Sequence, residues 1–65
     1  MYSSNIRKYR LEKKLKLKEL SIATNLSMGY LSHLEKGVRN NPSIQVMELI
    51  SEALDKNILE IFFND

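Results

Sequence analysis

Five residues between positions 28 and 36 have the types and spacing needed to contact a nucleic acid. In order they are Met28, Gly29, Ser32, His33 and Lys36. Their intervals place them on one face of a helix. Hydroxyl and imidazole groups exchange hydrogen bonds with base edges, and a methionine contacts the methyl group of thymine. The simpler alternative is that Met28 packs on Leu17 or Ile22 and that His33 is an ordinary exposed histidine.

We call the five residues 28, 29, 32, 33 and 36 the stripe. Two short helices, joined by Asn25-Leu26-Ser27, must hold it in place. Apolar spacing predicts the first helix from about Leu17 to Thr24 and the second from the turn to Gly37, a C-terminal cap. Asn25 tolerates the positive φ that the turn requires, Leu26 enters the core, and Ser27 caps the second helix. The residues predicted to face inward are Leu20, Ala23, Thr24, Leu31 and Leu34.

A three-residue turn forces the two helices to cross, and such a helix-turn-helix motif presents its second helix to the DNA major groove. Because the stripe lies on that second helix, its N-terminal side chains are the ones that reach base edges. The residues predicted to read bases are Met28, Gly29, Ser32 and His33.

Three further helices complete an all-α prediction. The first spans about 4–14 and turns Ile6, Tyr9, Arg10 and Lys13 inward, with Leu15 closing the core. The fourth follows Pro42 and is capped by Ser43. Its core-facing period is Ile44, Met47, Ile50 and Leu54, widened by Val46, Leu49 and Ala53. The fifth begins near Asn57, with Glu60 at capping-box spacing.

Length and composition limit the chain to one small domain, 1–65, without a catalytic apparatus. The 65 residues include one histidine, no cysteine and no glycine-rich loop, so we expect no catalytic residue, no metal site and no cofactor. No apolar run reaches the roughly 20 residues that cross a bilayer, and the N-terminus lacks a signal sequence. We therefore expect a cytoplasmic protein without membrane contact.

Charge is distributed unevenly along the chain. Residues 1–18 hold seven basic residues and one acidic residue, whereas residues 41–65 hold one basic and five acidic residues. The overall charge of +2 therefore combines +6 at one end with −4 at the other. This asymmetry indicates a basic face for a polyanion, although a solvated basic helix explains the charge alone equally well.

Taken together, these motifs resemble the lambda-repressor-like helix-turn-helix family, of the Cro/CI or xenobiotic-response-element type. The resemblance runs from Ile6 to about Phe62, and its matching points are Ile6-Arg7, Arg10, Leu15, Glu19-Leu20, Leu26-Ser27, Tyr30-Leu31-Ser32, Glu35-Lys36-Gly37, Asn41-Pro42-Ser43 and Ala53-Leu54. It implies a compact five-helix DNA-binding domain with the helix-turn-helix at helices 2 and 3. It also implies a structural ion pair between Arg10 and Glu35.

The start of helix 2 departs from the family pattern, which has Ser or Thr followed by Gln. This chain has Lys16 and Leu17 there, so the cap is poor and the phosphate contact credited to that Gln is lost. Lys16 and Lys18 are expected to compensate electrostatically. The full set of residues predicted to contact phosphates is Lys16, Lys18, Ser27, Tyr30, Lys36, Arg39, Asn40 and Asn41.

The function implied by the resemblance is a sequence-specific regulator of transcription, acting as a repressor on a double-stranded DNA operator. We expect a homodimer at least on DNA, paired through Leu59 and Phe63, which the core leaves exposed if Ile58, Ile61 and Phe62 fill it. The alternative is a protein-interaction module, such as an antitoxin or another partner-neutralising protein, and a regulatory protein partner fits either function.

Overall fold

Five helices make up the computed structural model, which describes residues 5–38 and 41–63. They are α1 (Ile6–Glu12), α2 (Leu17–Thr24), α3 (Met28–Lys36), α4 (Ile44–Leu54) and α5 (Ile58–Phe62). The described residues contain no strand. The predicted all-α, five-helix architecture is therefore confirmed.

Side-chain caps begin three of the helices as the sequence predicts. The Ser27 hydroxyl accepts a hydrogen bond from the Tyr30 backbone N–H at 3.1 Å, which starts α3. Ser43 caps α4 in the same way, and the Asn57 side-chain oxygen caps α5. Each cap satisfies a backbone donor that the helix itself leaves unpaired.

Left-handed residues end the first four helices. Asn25 (φ 61°) and Gly37 (φ 80°) do so as predicted, but Lys14 (φ 60°) and Asp55 (φ 56°) do so without the freedom of glycine. At Lys14 the reversal is fixed by two hydrogen bonds, from the Lys14 and Leu15 N–H groups to the Leu11 and Arg10 carbonyls. This is the pairing of a Schellman motif. It ends α1 at Glu12, so the prediction that the helix continues to Lys14 was wrong, and its predicted start at Ser4 lies outside the described residues.

The core is formed by all five helices. Its buried apolar residues are Ile6, Leu20, Leu31, Leu34, Met47, Ile50, Leu54, Ile61 and Phe62. Half-buried residues that pack against it include Tyr9, Leu15, Leu26, Val46, Ala53 and Ile58. The Asn5 backbone N–H donates to the Ile61 carbonyl at 2.8 Å, which ties the start of α1 to α5.

Four predicted core residues are exposed instead, namely Lys13, Ala23, Ile44 and Leu49. Lys13 lies beyond the end of α1, and Ile44 is the first residue of α4. At about 100° per residue, Leu49 points away from the buried face of α4 by more than a quarter turn, and Ala23 lies at the edge of the buried face of α2. In the opposite direction, Ser51 and Pro42 are buried, which the apolar period does not predict.

Candidate nucleic-acid interface

The inner face of α3 fixes this helix on the rest of the fold. Leu31 and Leu34 have 0% and 2% of their surfaces exposed and belong to the core. α3 packs on both α1 and α2. The side of α3 that carries Leu31 and Leu34 is therefore buried and cannot contact a ligand.

The opposite face of α3 is open to solvent. Met28 is 44% exposed, and Gly29, His33 and Lys36 are also exposed, whereas Ser32 is half-buried. The structure therefore brings the predicted base-reading residues onto one face, with Ser32 at its margin. Ile22 is 73% exposed and Leu17 packs against the core. The stripe offers hydrogen-bonding groups, an apolar thioether and a cation to whatever approaches it.

Hydroxyl groups of α2 fix the turn between the two helices. The Thr24 hydroxyl donates to the Leu20 carbonyl at 2.8 Å and accepts from the Leu26 N–H at 3.3 Å. The Ser21 hydroxyl donates to the Leu26 carbonyl. Sequence reasoning placed Thr24 inward but missed both hydrogen-bonding roles. The available signal was the presence of Ser and Thr in the last turns of a helix, where they often bond to nearby backbone groups.

An ion pair joins α1 to the end of α3. Arg10 Nε lies 2.7 Å from one Glu35 carboxylate oxygen, and its Nη2 lies 3.1 Å from the other. The third Arg10 nitrogen, Nη1, donates to the Leu15 carbonyl at 2.9 Å. Only 10% and 5% of the two side chains is exposed, so the charges are largely removed from water. The pair implied by the resemblance is thus present, and it also holds the link between α1 and α2.

The start of α2 is capped from inside the helix. The Lys16 side chain makes no capping hydrogen bond, as expected of a residue that cannot accept one. Instead the Glu19 carboxylate accepts from the Lys16 backbone N–H at 2.7 Å. This is one half of a capping box. Leu17 packs against the core, so the residue that stands where the family pattern has glutamine contributes packing instead.

The residues predicted to contact phosphates lie before, within and after the stripe in the sequence. They differ in how far their side chains are exposed. Lys16, Lys18, Ser27, Lys36 and Asn41 are exposed, and Tyr30 is half-buried with its side chain against the core. Arg39 and Asn40 lie outside the described residues. Because the Ser27 oxygen already accepts from Tyr30, its hydroxyl proton is what it has to offer a phosphate.

A second exposed feature lies on α5 and on Phe63, the residue that follows it. Ile61 and Phe62 are buried, and Ile58 packs against the core. Leu59 and Phe63 remain 60% and 54% exposed, which is the division that the sequence analysis expected. Within 5–38 and 41–63, no helix is long and apolar enough to cross a membrane. In the same residues, no group of three or more His, Asp or Glu side chains could hold a metal ion.

Comparison with known proteins agrees with this geometry. A family model described as helix-turn-helix matches residues 6–61. The transcriptional regulators SlrR and SinR of Bacillus subtilis are 37% and 38% identical to the chain over 88% and 89% of its length. The chain spans only 38% of SlrR and 52% of SinR.

Solved structures of SinR are also similar to the structure of this chain. SinR in complex with DNA matches 83% of the chain and 86% of the solved chain, with a TM-score of 0.80 and 39% identity. The complex of SinR with SinI matches 85% of the chain and 53% of the solved chain, with a TM-score of 0.80 and 38% identity.

Proposed function

The chain belongs to the helix-turn-helix family, and we propose on that basis that it is a sequence-specific, double-stranded-DNA-binding regulator of transcription. It reads the major groove with α3 and acts as a repressor by occupying an operator. The relatives SlrR and SinR are named transcriptional regulators, and SinR has been solved with DNA. Such a role needs no catalytic group or cofactor, and its place is the cytoplasm.

The observation that carries the proposal is that the fold leaves the outer face of α3 unused. Leu31, Leu34 and Glu35 hold the helix from within, while Met28, Gly29 and His33 are exposed. An α-helix fits the major groove, and its N-terminal residues contact base edges in this motif. Ser32 and His33 supply hydrogen bonds, and Met28 supplies apolar contact. The phosphates are contacted by Lys16, Lys18, Ser27, Tyr30, Lys36, Arg39, Asn40 and Asn41.

Selection from random DNA tests this proposal directly. The protein is used to enrich binding sites from a randomised duplex library, and its affinity is then measured on the selected and the unselected duplexes at several salt concentrations. We expect a defined half-site, and affinity that falls steeply with salt because lysines displace counterions from phosphates. Failure to enrich any sequence, together with salt-independent binding, would contradict the proposal.

We propose further that two copies pair through α5 when they occupy the operator. Leu59 belongs to α5, and Phe63 directly follows this helix, with its backbone N–H donating to the Leu59 carbonyl at 3.1 Å. Both side chains are more than half exposed, so the core does not use them. An exposed apolar pair of this kind suits a two-fold contact in which the same surface meets itself. Pairing doubles the number of base contacts and sets half-sites about one helical turn apart.

The test of pairing replaces Leu59 and Phe63 by glutamate together. We expect the helical content to be unchanged and cooperative binding to a two-half-site duplex to be lost, while binding to a single half-site persists. The control replaces Ile44 and Leu49 by glutamate, since these residues of α4 are 58% and 42% exposed. Equal loss of cooperativity in both variants, or a wild type that binds without cooperativity, would refute pairing through α5.

A regulatory protein is the second binding partner that we propose. SinR has been solved in complex with SinI. The present chain matches 53% of the solved chain in that structure. The apolar pair on α5 is the surface best suited to such a partner, because protein interfaces favour apolar anchors at their centre. An antitoxin-like function would rest on the same surface, whereas the outer face of α3 has Met28 as its only large apolar side chain.

A further inference from the structure

The chain contains two glycines, and the fold explains only one of them. Gly37 ends α3 with a φ of +80°, a conformation that side chains rarely adopt. Gly29 is the second residue of α3, and its φ is not positive. A Cβ atom built on Gly29 would meet nothing within 4 Å. Neither backbone conformation nor packing requires glycine at position 29.

Glycine at this position has a cost. In a helix it is less favourable than alanine, because it gives up more backbone freedom on folding. Alanine would fit without any clash, so nothing in the packing around Gly29 opposes the exchange. A residue that weakens the fold and relieves no strain has its explanation outside the fold.

Gly29 lies on the outer face of α3, beside Met28 and one turn before His33. A helix with its side chains is about 10–12 Å wide, and the major groove is about 12 Å wide. The helix therefore enters the groove with little room to spare. A side chain missing at its leading end lets the helix backbone come closer to the DNA at that point.

We propose that Gly29 sets the depth at which α3 docks in the major groove, by allowing its backbone to contact the DNA directly. This inference rests on the proposed DNA-binding function. The contact belongs to the specific complex, in which the helix is fully inserted. Binding to random sequence depends on phosphate contacts and does not require the same depth.

The experiment compares wild type with Gly29→Ala and Gly29→Leu on a duplex selected with the wild-type protein and on the unselected pool. We expect Gly29→Ala to raise the melting temperature by about 2–5 °C. It should weaken binding to the selected duplex by about tenfold or more, and Gly29→Leu should weaken it further. Affinity for the unselected pool should change less than about twofold.

Asp55→Gly is the matched control for a stabilising change. Asp55 has a positive φ at the end of α4, so glycine there should also raise the melting temperature, with no effect on DNA binding. Selected-duplex affinity that is unchanged or improved in Gly29→Ala would overturn the inference. A wild type that prefers no sequence would refute the proposed function instead, so the two failures are distinguishable.

Discussion

The inner face of α3 packs against the rest of the molecule, whereas the outer face is open to solvent. On the inner face, Leu31 and Leu34 are at most 2% exposed, and Glu35 is held by Arg10 through two hydrogen bonds. On the outer face, His33 and Lys36 are exposed. Substitutions on the inner face should therefore change stability, and removal of an exposed side chain from the outer face should change DNA binding with little effect on stability.

The largest effect is expected at the buried ion pair. Arg10→Ala leaves the Glu35 carboxylate without its partner in a site where 5% of that side chain is exposed. Removing one member of a buried pair costs about 3–5 kcal/mol. Because a chain of this size has a stability of only several kcal/mol, much of the variant should be unfolded at 25 °C. Urea denaturation followed by circular dichroism measures this loss.

Arg7→Ala provides the control for the ion pair, since Arg7 is an exposed residue of the same helix with the same charge. Its stability should stay within about 0.5 kcal/mol of wild type. A similar loss in both variants would show that charge on α1, not the pair, stabilises the fold.

The next effect is expected on the outer face, at His33. His33→Ala should cost about 1–3 kcal/mol of binding to the selected duplex and relax preference at one base pair. Stability should change by less than about 0.5 kcal/mol, because the side chain is exposed. Repeating the selection with the variant measures the preference. Gln45→Ala, on the exposed side of α4, is the control, and an unaltered preference in His33→Ala would remove His33 from the reading face.

Lys36 lies on the same outer face, but we expect it to contact phosphates and not bases. Lys36→Ala should weaken all duplexes about equally and reduce the slope of log affinity against log salt by about one unit. Lys56→Ala makes the same charge change near the acidic end of the chain and should leave the slope unaltered. A loss restricted to the selected sequence would assign Lys36 to base reading.

The smallest effect is expected at Ser51, a buried residue of α4. Its hydroxyl is without a hydrogen-bond partner among the residues that the structure describes. Ser51→Ala removes a buried, unpaired polar group and raises helix propensity, so stability should rise by up to about 1 kcal/mol. DNA affinity should be unchanged. A clear loss of stability on denaturation would show that the hydroxyl is hydrogen-bonded in solution.

Sequence reasoning succeeded where a local rule decides the structure. Ser27 and Ser43 begin helices because their hydroxyls satisfy backbone donors, and Asn25 ends α2 because it tolerates a positive φ. The ion pair of Arg10 with Glu35 came from the family resemblance, since its partners are 25 residues apart and no local rule joins them.

The sequence was less informative where tertiary contacts decide. The apolar period of α4 includes Leu49, but the neighbouring helices cover only the face of Met47, Ile50 and Leu54. Lys14 adopts a left-handed conformation because the Schellman hydrogen bonds outweigh its intrinsic preference. Which side chain of the outer face of α3 contacts which base is decided by the DNA as well as by the protein.

DNA binding by the outer face of α3 is tested most directly by an amide chemical-shift titration of the labelled protein with the selected duplex. The largest changes should occur at the start of α3, from Met28 to His33, and at the residues around the turn that precedes it. The acidic exposed side of α4, with Glu48 and Glu52, should change little. Largest changes on α4 instead, with α3 unaffected, would contradict the claim that the outer face of α3 binds DNA.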